Sequence, residues 1–258
     1  MNIPEIMDRE KISVLIEYTS GDIMGPGLFT MLDDIQYRYG NNAFVIITDF
    51  LDTLPIWEYQ AKLLGITTEV IKKAEVIKVG GKISTGNVVY KIPISSYPVY
   101  KTLYEEALSK LLESAKSHTG FFINIQIGIE GLMSIFDRKE LLEQIHDIGE
   151  YMVTKDKDVR DIVFVNVDSL KDTSPYMLAM LRSLFPIVLK IMNDGKSFVV
   201  SKSVFPNLKG AVGTIWGGEV NEIQKKANPF NIHSTGLGSY NSHNYSEHSY
   251  IRPIRKPR

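Results

Sequence analysis

The chain has 258 residues, no cysteine, 44% hydrophobic and 23% charged residues, and a formal net charge of -1. Such a length supplies a full hydrophobic core in one large or two small domains. The absence of cysteine excludes disulfides, thiolate metal sites and thiol nucleophiles, and a near-neutral balance gives no general pull toward nucleic acid or anionic membrane.

The N-terminal stretch Met1–Lys11 carries Glu5, Asp8, Arg9 and Glu10 where a signal peptide would be apolar. Ile12–Tyr18 is a predicted strand, followed by a predicted helix over Gly27–Tyr39. Where the one should turn into the other, Tyr18-Thr19-Ser20-Gly21-Asp22-Ile23-Met24-Gly25-Pro26-Gly27-Leu28-Phe29 has the place and length of a phosphate-binding loop. A working loop reads G-x-x-x-x-G-K-[ST]: backbone N–H groups cradle phosphates, the lysine reaches the outer phosphates, and the hydroxyl holds Mg²⁺. Aligned on Gly25, the first glycine is Ser20, the lysine is Pro26 and the hydroxyl is Gly27. Proline offers neither a cation nor an N–H.

Further along, Ala43–Thr48 is a short apolar run of the kind buried on both faces of a parallel sheet. Ile56–Leu64 is a predicted helix stopped by Gly65. Val76–Ile83 and Asn87–Ile94 alternate around Ser84-Thr85-Gly86, the pattern of a hairpin. Pro98–Lys116 is an amphipathic helix with Leu103, Ala107, Leu108, Leu111, Leu112 and Ala115 on one stripe, and Gly120 stops it. Phe121–Ile127 is a strand, Lys139–Val153 a helix and Asp161–Val167 a second apolar strand. Asp172, Thr173 or Ser174 caps a helix that starts at Pro175.

The apolar stretch Tyr176–Met192 is interrupted by Arg182, Pro186 and Lys190 and is too short to span a bilayer. Ser197–Ser201 and Ala211–Trp216 are expected as antiparallel strands closing one edge. This alternation predicts a three-layer α/β sandwich around a mostly parallel sheet, spanning residues 1–222. Residues 223–258, rich in Asn, Ser, His, Tyr and Gly, read as a polar tail with too little apolar surface to offset chain entropy.

This order of elements resembles the KaiC-like branch of the RecA-fold P-loop ATPases over about residues 8–216. In that family the loop enters a Gly-Lys-Thr-Leu-Phe-type helix start, which here is Gly25-Pro26-Gly27-Leu28-Phe29. A glutamate pair ends the family's second strand, and counting back from Leu64-Gly65 puts Leu51 and Asp52 there. The family's Walker B strand ends in Asp-Ser. The corresponding strand holds Asn124 and Gln126, and the nearest acid is Glu130. A late V-x-K-S-R strand sends a lysine and an arginine to a neighbouring subunit's nucleotide. Val200-Ser201-Lys202-Ser203-Val204 keeps the lysine and replaces the arginine. The resemblance extends to an uncharacterised family of Pyrococcus and Thermococcus proteins that looks like a decayed offshoot of this fold.

Phosphoryl transfer rests on the loop lysine, a fixed Mg²⁺ and a group orienting the nucleophile. With the first two unsupported, no catalytic residue is assigned. Ser20, Gly21, Asp22, Gly25 and Gly27 are candidate ligand-binding positions, since a helix N-terminus still offers N–H groups for weak phosphate or nucleotide binding. Asp49, Asp52 and Glu130 are candidate crevice acids that either bind a cation or cap the following helix. Lys202 is a candidate subunit contact, and it or Lys82 is a candidate substitute for the missing lysine.

Asp168-Ser169-Leu170 mimics a Walker B ending but reads as a strand-end turn. The tail histidines His233, His243 and His248 are too widely spaced for a metal set, and the basic end at Arg252, Arg255, Lys256 and Arg258 reads as solubilising. The expected function is a non-catalytic scaffold, sensory or regulatory module that contacts other proteins. It is expected to be cytoplasmic, a monomer or loose homo-oligomer, without resident cofactor or metal, and not a partner of membrane or nucleic acid. The alternative is a nucleotide-binding regulator or ATPase with rearranged catalytic groups.

Overall fold

The computed structural model describes residues 1–117, 120–171 and 175–216. The expected cap at residues 172–174 and everything foreseen for the tail and its boundary near residue 222 lie outside the described residues. In chain order the elements are α1 (Ile3–Met7), β1 (Ser13–Tyr18), α2 (Met24–Tyr39), β2 (Ala43–Phe50), α3 (Thr53–Leu63), β3 (Glu75–Val79), β4 (Asn87–Ile92) and α4 (Tyr97–Ala115). They continue with β5 (Phe121–Ile127), α5 (Ile129–Met133), α6 (Arg138–Thr154), β6 (Val159–Asn166), α7 (Val167–Lys171), α8 (Pro175–Leu184), β7 (Ile187–Met192), β8 (Ser197–Ser203) and β9 (Val212–Thr214).

The strands form one nine-stranded sheet in the order β4-β3-β2-β5-β6-β1-β7-β8-β9. Pairing is parallel from β4 to β7 and antiparallel for β7–β8 and β8–β9, so the expected antiparallel edge is present. All of β1 and nearly all of β5 and β6 are buried, as befits central parallel strands covered on both faces. One face packs α1, α2 and α3 against Val14, Ile16, Ile47, Ile125, Ile162 and Phe164. The other packs α4 to α8 against Leu15, Ile46, Ile77 and Val163. Helix starts are chemically marked: Asn2 with Glu5, and Asp137 with Glu140, each form a reciprocal capping box.

The hairpin expected around residues 84–86 is absent. β3 and β4 run parallel, with Glu75 beside Asn87 and Val79 beside Ile92. The chain doubles back between them through Gly80, Gly81 and Gly86, all with left-handed φ of 64°, 71° and 74°. Glycine adopts that conformation without the Cβ penalty, so a short return segment replaces a helical crossover. The strand β7 also emerges from what reads as one apolar stretch with α8. Pro186 separates them, and β7 pairs with β1 from Val14 to Glu17.

Candidate functional site

The carboxyl ends of β1, β2, β5 and β6 share one edge of the sheet, the edge where open α/β sheets bind ligands. The candidate loop leaves β1 there. Helix α2 begins at Met24, three residues before the expected Gly27, so Gly25, Pro26 and Gly27 belong to its buried first turn. The two glycines serve packing. A Cβ on Gly25 would stand 2.1 Å from the carbonyl oxygen of Trp57 in α3, and one on Gly27 would stand 2.8 Å from Ile215 Cγ2. The Gly25 N–H donates to Gln60 Oε1 at 3.2 Å.

The exposed part of the loop closes on itself. Asp22 Oδ2 accepts from the Thr19 N–H at 2.7 Å and the Thr19 hydroxyl at 2.8 Å. The Ser20 N–H donates to Asp168 Oδ2 at 2.9 Å, and Asn166 Nδ2 donates to the Ser20 hydroxyl at 3.2 Å. The Ser20 N–H holds the Asp168 carboxyl below its ordinary range, with help from Lys171. Two backbone donors of this loop, those of Thr19 and Ser20, thus face the chain's own carboxylates. Gly21 is exposed, and a Cβ there would meet nothing closer than Thr19 Oγ1 at 3.8 Å.

The three crevice acids are held by different partners. Asp49 is fully buried; its Oδ1 accepts from the Leu54 N–H at 2.8 Å, capping α3, and its Oδ2 takes Lys78 Nζ at 2.6 Å. Burial pushes the Asp49 carboxyl up against those bonds. Asp52 also receives Lys78 Nζ, at 2.5 Å, and accepts from the N–H groups of Lys82 and Ile83 at 2.8 and 2.9 Å. Against partial desolvation, which would raise it, the Lys78 bond and the two N–H donors lower Asp52 to about 2. The cation between Asp49 and Asp52 is the ammonium of Lys78. Leu51 and Asp52 both carry left-handed φ, 56° and 65°. Such non-glycine positions cost roughly 1–3 kcal/mol each, and the nest of donors around Asp52 offsets that strain.

Glu130, at the start of α5, accepts from the Tyr18 hydroxyl at 2.9 Å. Burial pushes its carboxyl up, and the same burial together with the Glu130 charge pushes the Tyr18 phenol up. Among the described residues, no group of three His, Asp or Glu side chains is arranged to hold a metal ion. Lys202 lies beside Val188, toward the opposite end of the sheet from the loop. Its ammonium donates to the Arg182 and Ser183 carbonyls at 2.6 and 2.9 Å, closing the C-terminus of α8. The Lys82 contribution to the edge is its backbone N–H.

Sequence reasoning missed Lys78, Asn166 and the participation of Asp168. A lysine at an inward position of an apolar strand was the available signal for Lys78, which is only 4% exposed. It missed a second polar cluster as well, on the α4–α6 face. There Asp161 binds buried Lys155, Ser13, Asn124 and Tyr151.

The sheet order, the edge loop and the flanking helices define an α/β protein of the KaiC-like fold class. The chain belongs to the family described as "Pyrococcus protein of unknown function, DUF257", whose model matches residues 10–214. A solved protein of Pyrococcus horikoshii OT3, PH0250, aligns over 84% of this chain and 100% of its own, with TM-score 0.70 and 21% identity. PH0321 of P. horikoshii, solved in complex with an unknown peptide, aligns over 80% of this chain and 93% of its own, with TM-score 0.52 and 15% identity. The KaiC-like protein PH0186 from the same hyperthermophilic archaeon aligns over 80% of this chain and 85% of its own, with TM-score 0.50 and 14% identity. At these identities the likeness concerns the fold. No curated protein gave a significant match. No helix among the described residues is long and apolar enough to cross a membrane.

Proposed function

We propose that this protein is a KaiC-like domain that has given up ATP hydrolysis and acts in the cytoplasm as a scaffold, sensory or regulatory module through contacts with other proteins. The observation that carries this reading is the closure of the loop by Asp22 and Asp168, which occupy the Thr19 and Ser20 donors. A triphosphate entering there would displace two carboxylates and then lie beside their charge, with no loop lysine to compensate. Pro26 removes one more N–H from the first turn of α2, and Gly25 gives its own to Gln60. The peptide bound to PH0321 supports a peptide or protein segment as the kind of partner. The engagement of Lys202 with the end of α8 supports a monomer or loose homo-oligomer, because that lysine is not free to reach a neighbour's nucleotide.

The test is a thermal-shift and phosphate-release assay on the full chain with ATP and Mg²⁺. The expected result is no stabilisation and no turnover. A ligand at a hundredfold excess over its Kd stabilises by about 2.7 kcal/mol, which such an assay detects. Stabilisation that requires Mg²⁺ would favour a nucleotide-binding regulator or a rearranged ATPase instead.

A further inference from the structure

Central strands buried on both faces are normally apolar throughout. β5 departs from this on the face toward α4 and α6, where Asn124 and Gln126 replace aliphatic residues. Above them the two helices part. Tyr97, Tyr100 and Tyr104 of α4 and Gln144, Ile148 and Tyr151 of α6 enclose a cavity of about 230 Å³ over this strand. Exposed Glu105 and Ser109 stand at its margin, and Lys101 pairs with Asp147 there at 2.8 Å. Tyr100 and Tyr104 stack at 23° with centroids 5.7 Å apart, presenting aromatic surface to the cavity.

The polar atoms of this cavity are unequally satisfied. Asn124 Nδ2 donates to Asp161 Oδ1 at 3.1 Å, and since a carboxylate only accepts, that bond fixes which way the amide points. The Tyr104 hydroxyl meets Gln126 Nε2 at 3.2 Å and Thr48 Oγ1 at 3.3 Å. Burial pushes the Tyr104 and Tyr151 phenols up, so both stay protonated. Among the described residues, Asn124 Oδ1 and Gln144 Oε1 are buried without a hydrogen-bond partner, on side chains 0% and 3% exposed. Buried polar groups are nearly always paired, so Asn124 Oδ1 marks a missing donor and the Gln144 amide a missing partner.

We propose that this cavity is a binding site for a small, flat nitrogen heterocycle that lies against the tyrosine rings, donates an N–H bond to Asn124 and pairs with the Gln144 amide. The volume falls below the roughly 300–1,000 Å³ of pockets for drug-sized ligands, which limits the occupant to one or two fused rings. A donor is required because Asn124 Oδ1, whose direction the Asp161 bond fixes, can only accept, while the Gln144 amide can turn to meet either kind of group. A flat ring is required because the walls are phenols that favour offset or edge contact. The site lies on the helical face away from α2, and it stands whether or not the loop binds nucleotide.

The probes are indole and benzofuran, which share a shape and differ in one N–H. Methyl-labelled full-length protein is titrated with each, reading the Ile129 and Ile148 methyl resonances. Indole is expected to shift both saturably, and benzofuran to bind about tenfold more weakly, the usual penalty for an unmade buried hydrogen bond. Gln144→Met is expected to narrow that difference. Leu112→Trp, which fills the cavity from a half-buried wall position, is expected to abolish indole binding. Circular dichroism confirms that each variant is folded, and Ser109→Trp at the exposed margin serves if either is not. Equal affinities for the two probes overturn the proposal. So does an absence of shifts up to the solubility of indole, which would mean a cavity holding water only, or shifts confined to other methyls. A failure here leaves the ATP result untouched, since turnover and a Mg²⁺-dependent shift report on the loop at the carboxyl edge of the sheet and not on this cavity.

Discussion

Replacing Gly25 with alanine separates a packing glycine from a phosphate-cradle glycine. Inside a helix, Gly→Ala alone gains about 1 kcal/mol through backbone entropy and propensity. At Gly25 the new Cβ would sit 2.1 Å from the Trp57 carbonyl oxygen and 2.9 Å from Gln60 Cβ. The first neighbour is backbone and cannot rotate away, so α2 and α3 must separate. Overpacking of this kind costs typically 1–3 kcal/mol, and a backbone collision belongs at or above the top of that range. The net expectation is a loss of about 2 kcal/mol or more, the clash outweighing the propensity gain.

Gly21→Ala is the control. Its Cβ meets only Thr19 Oγ1, at 3.8 Å, and its stability is expected to stay within about 0.5 kcal/mol of the parent. Guanidinium denaturation of the two variants, compared at equal m-values, reads the difference directly. If Gly25→Ala is as stable as the parent, or Gly21→Ala is as damaged as Gly25→Ala, the packing role assigned to the first turn of α2 is wrong.

Asp52→Asn tests the clamp on the β3–β4 return segment. Its folded carboxyl sits near 2, below the ordinary 3.8, so its contribution is present above the unfolded value and fades as pH falls through about 2. At about 1.4 kcal/mol per pKa unit, the variant is expected to lose about 2 kcal/mol at pH 7, and the gap is expected to close near pH 2. Denaturation curves at the two pH values check this, and a gap that persists in acid would mean that the carboxyl is not held ionised. Lys202→Met removes both bonds to the α8 carbonyls and is expected to cost about 1 kcal/mol without changing the mass measured by light scattering. A change of oligomeric mass would restore the subunit-contact role foreseen for that lysine.

Much of the sheet was legible because its central strands are short apolar runs separated by amphipathic helices of crossover length. Direction was less legible. The turn chemistry of Ser84-Thr85-Gly86 signals a reversal but not whether the next strand pairs antiparallel. Here Gly80 and Gly81 had already turned the chain, and the Asp52 carboxylate pinned the segment at Lys82 and Ile83. β7 was hidden because α8 and β7 are both apolar, and only Pro186 punctuates them.

At the edge site, the spacing of Gly25 and Gly27 suggested a cradle. The reason for those glycines lies with Trp57 and Ile215, partners too distant in sequence for local pattern to reveal. The capping alternative weighed for the acids describes Asp49, whose carboxylate holds the Leu54 N–H. Lys78 went unassigned because a lone lysine in an alternating strand ordinarily faces water. Asn124 and Gln126 stand on the strand where the resembled family has its aspartate, and two amides on one face of a central strand are themselves a signal of a polar cluster or cavity.

In the loop, the Thr19 and Ser20 N–H groups are held by the chain's own carboxylates and that of Gly25 by Gln60. The most direct measurement is an amide NMR titration of the full chain with ATP and Mg²⁺, following Thr19, Ser20 and Gly25. These resonances are expected to stay fixed at millimolar nucleotide, because Asp22, Asp168 and Gln60 already hold the N–H groups. Saturable shifts at all three that disappear when Mg²⁺ is removed would contradict it and make the loop a nucleotide site.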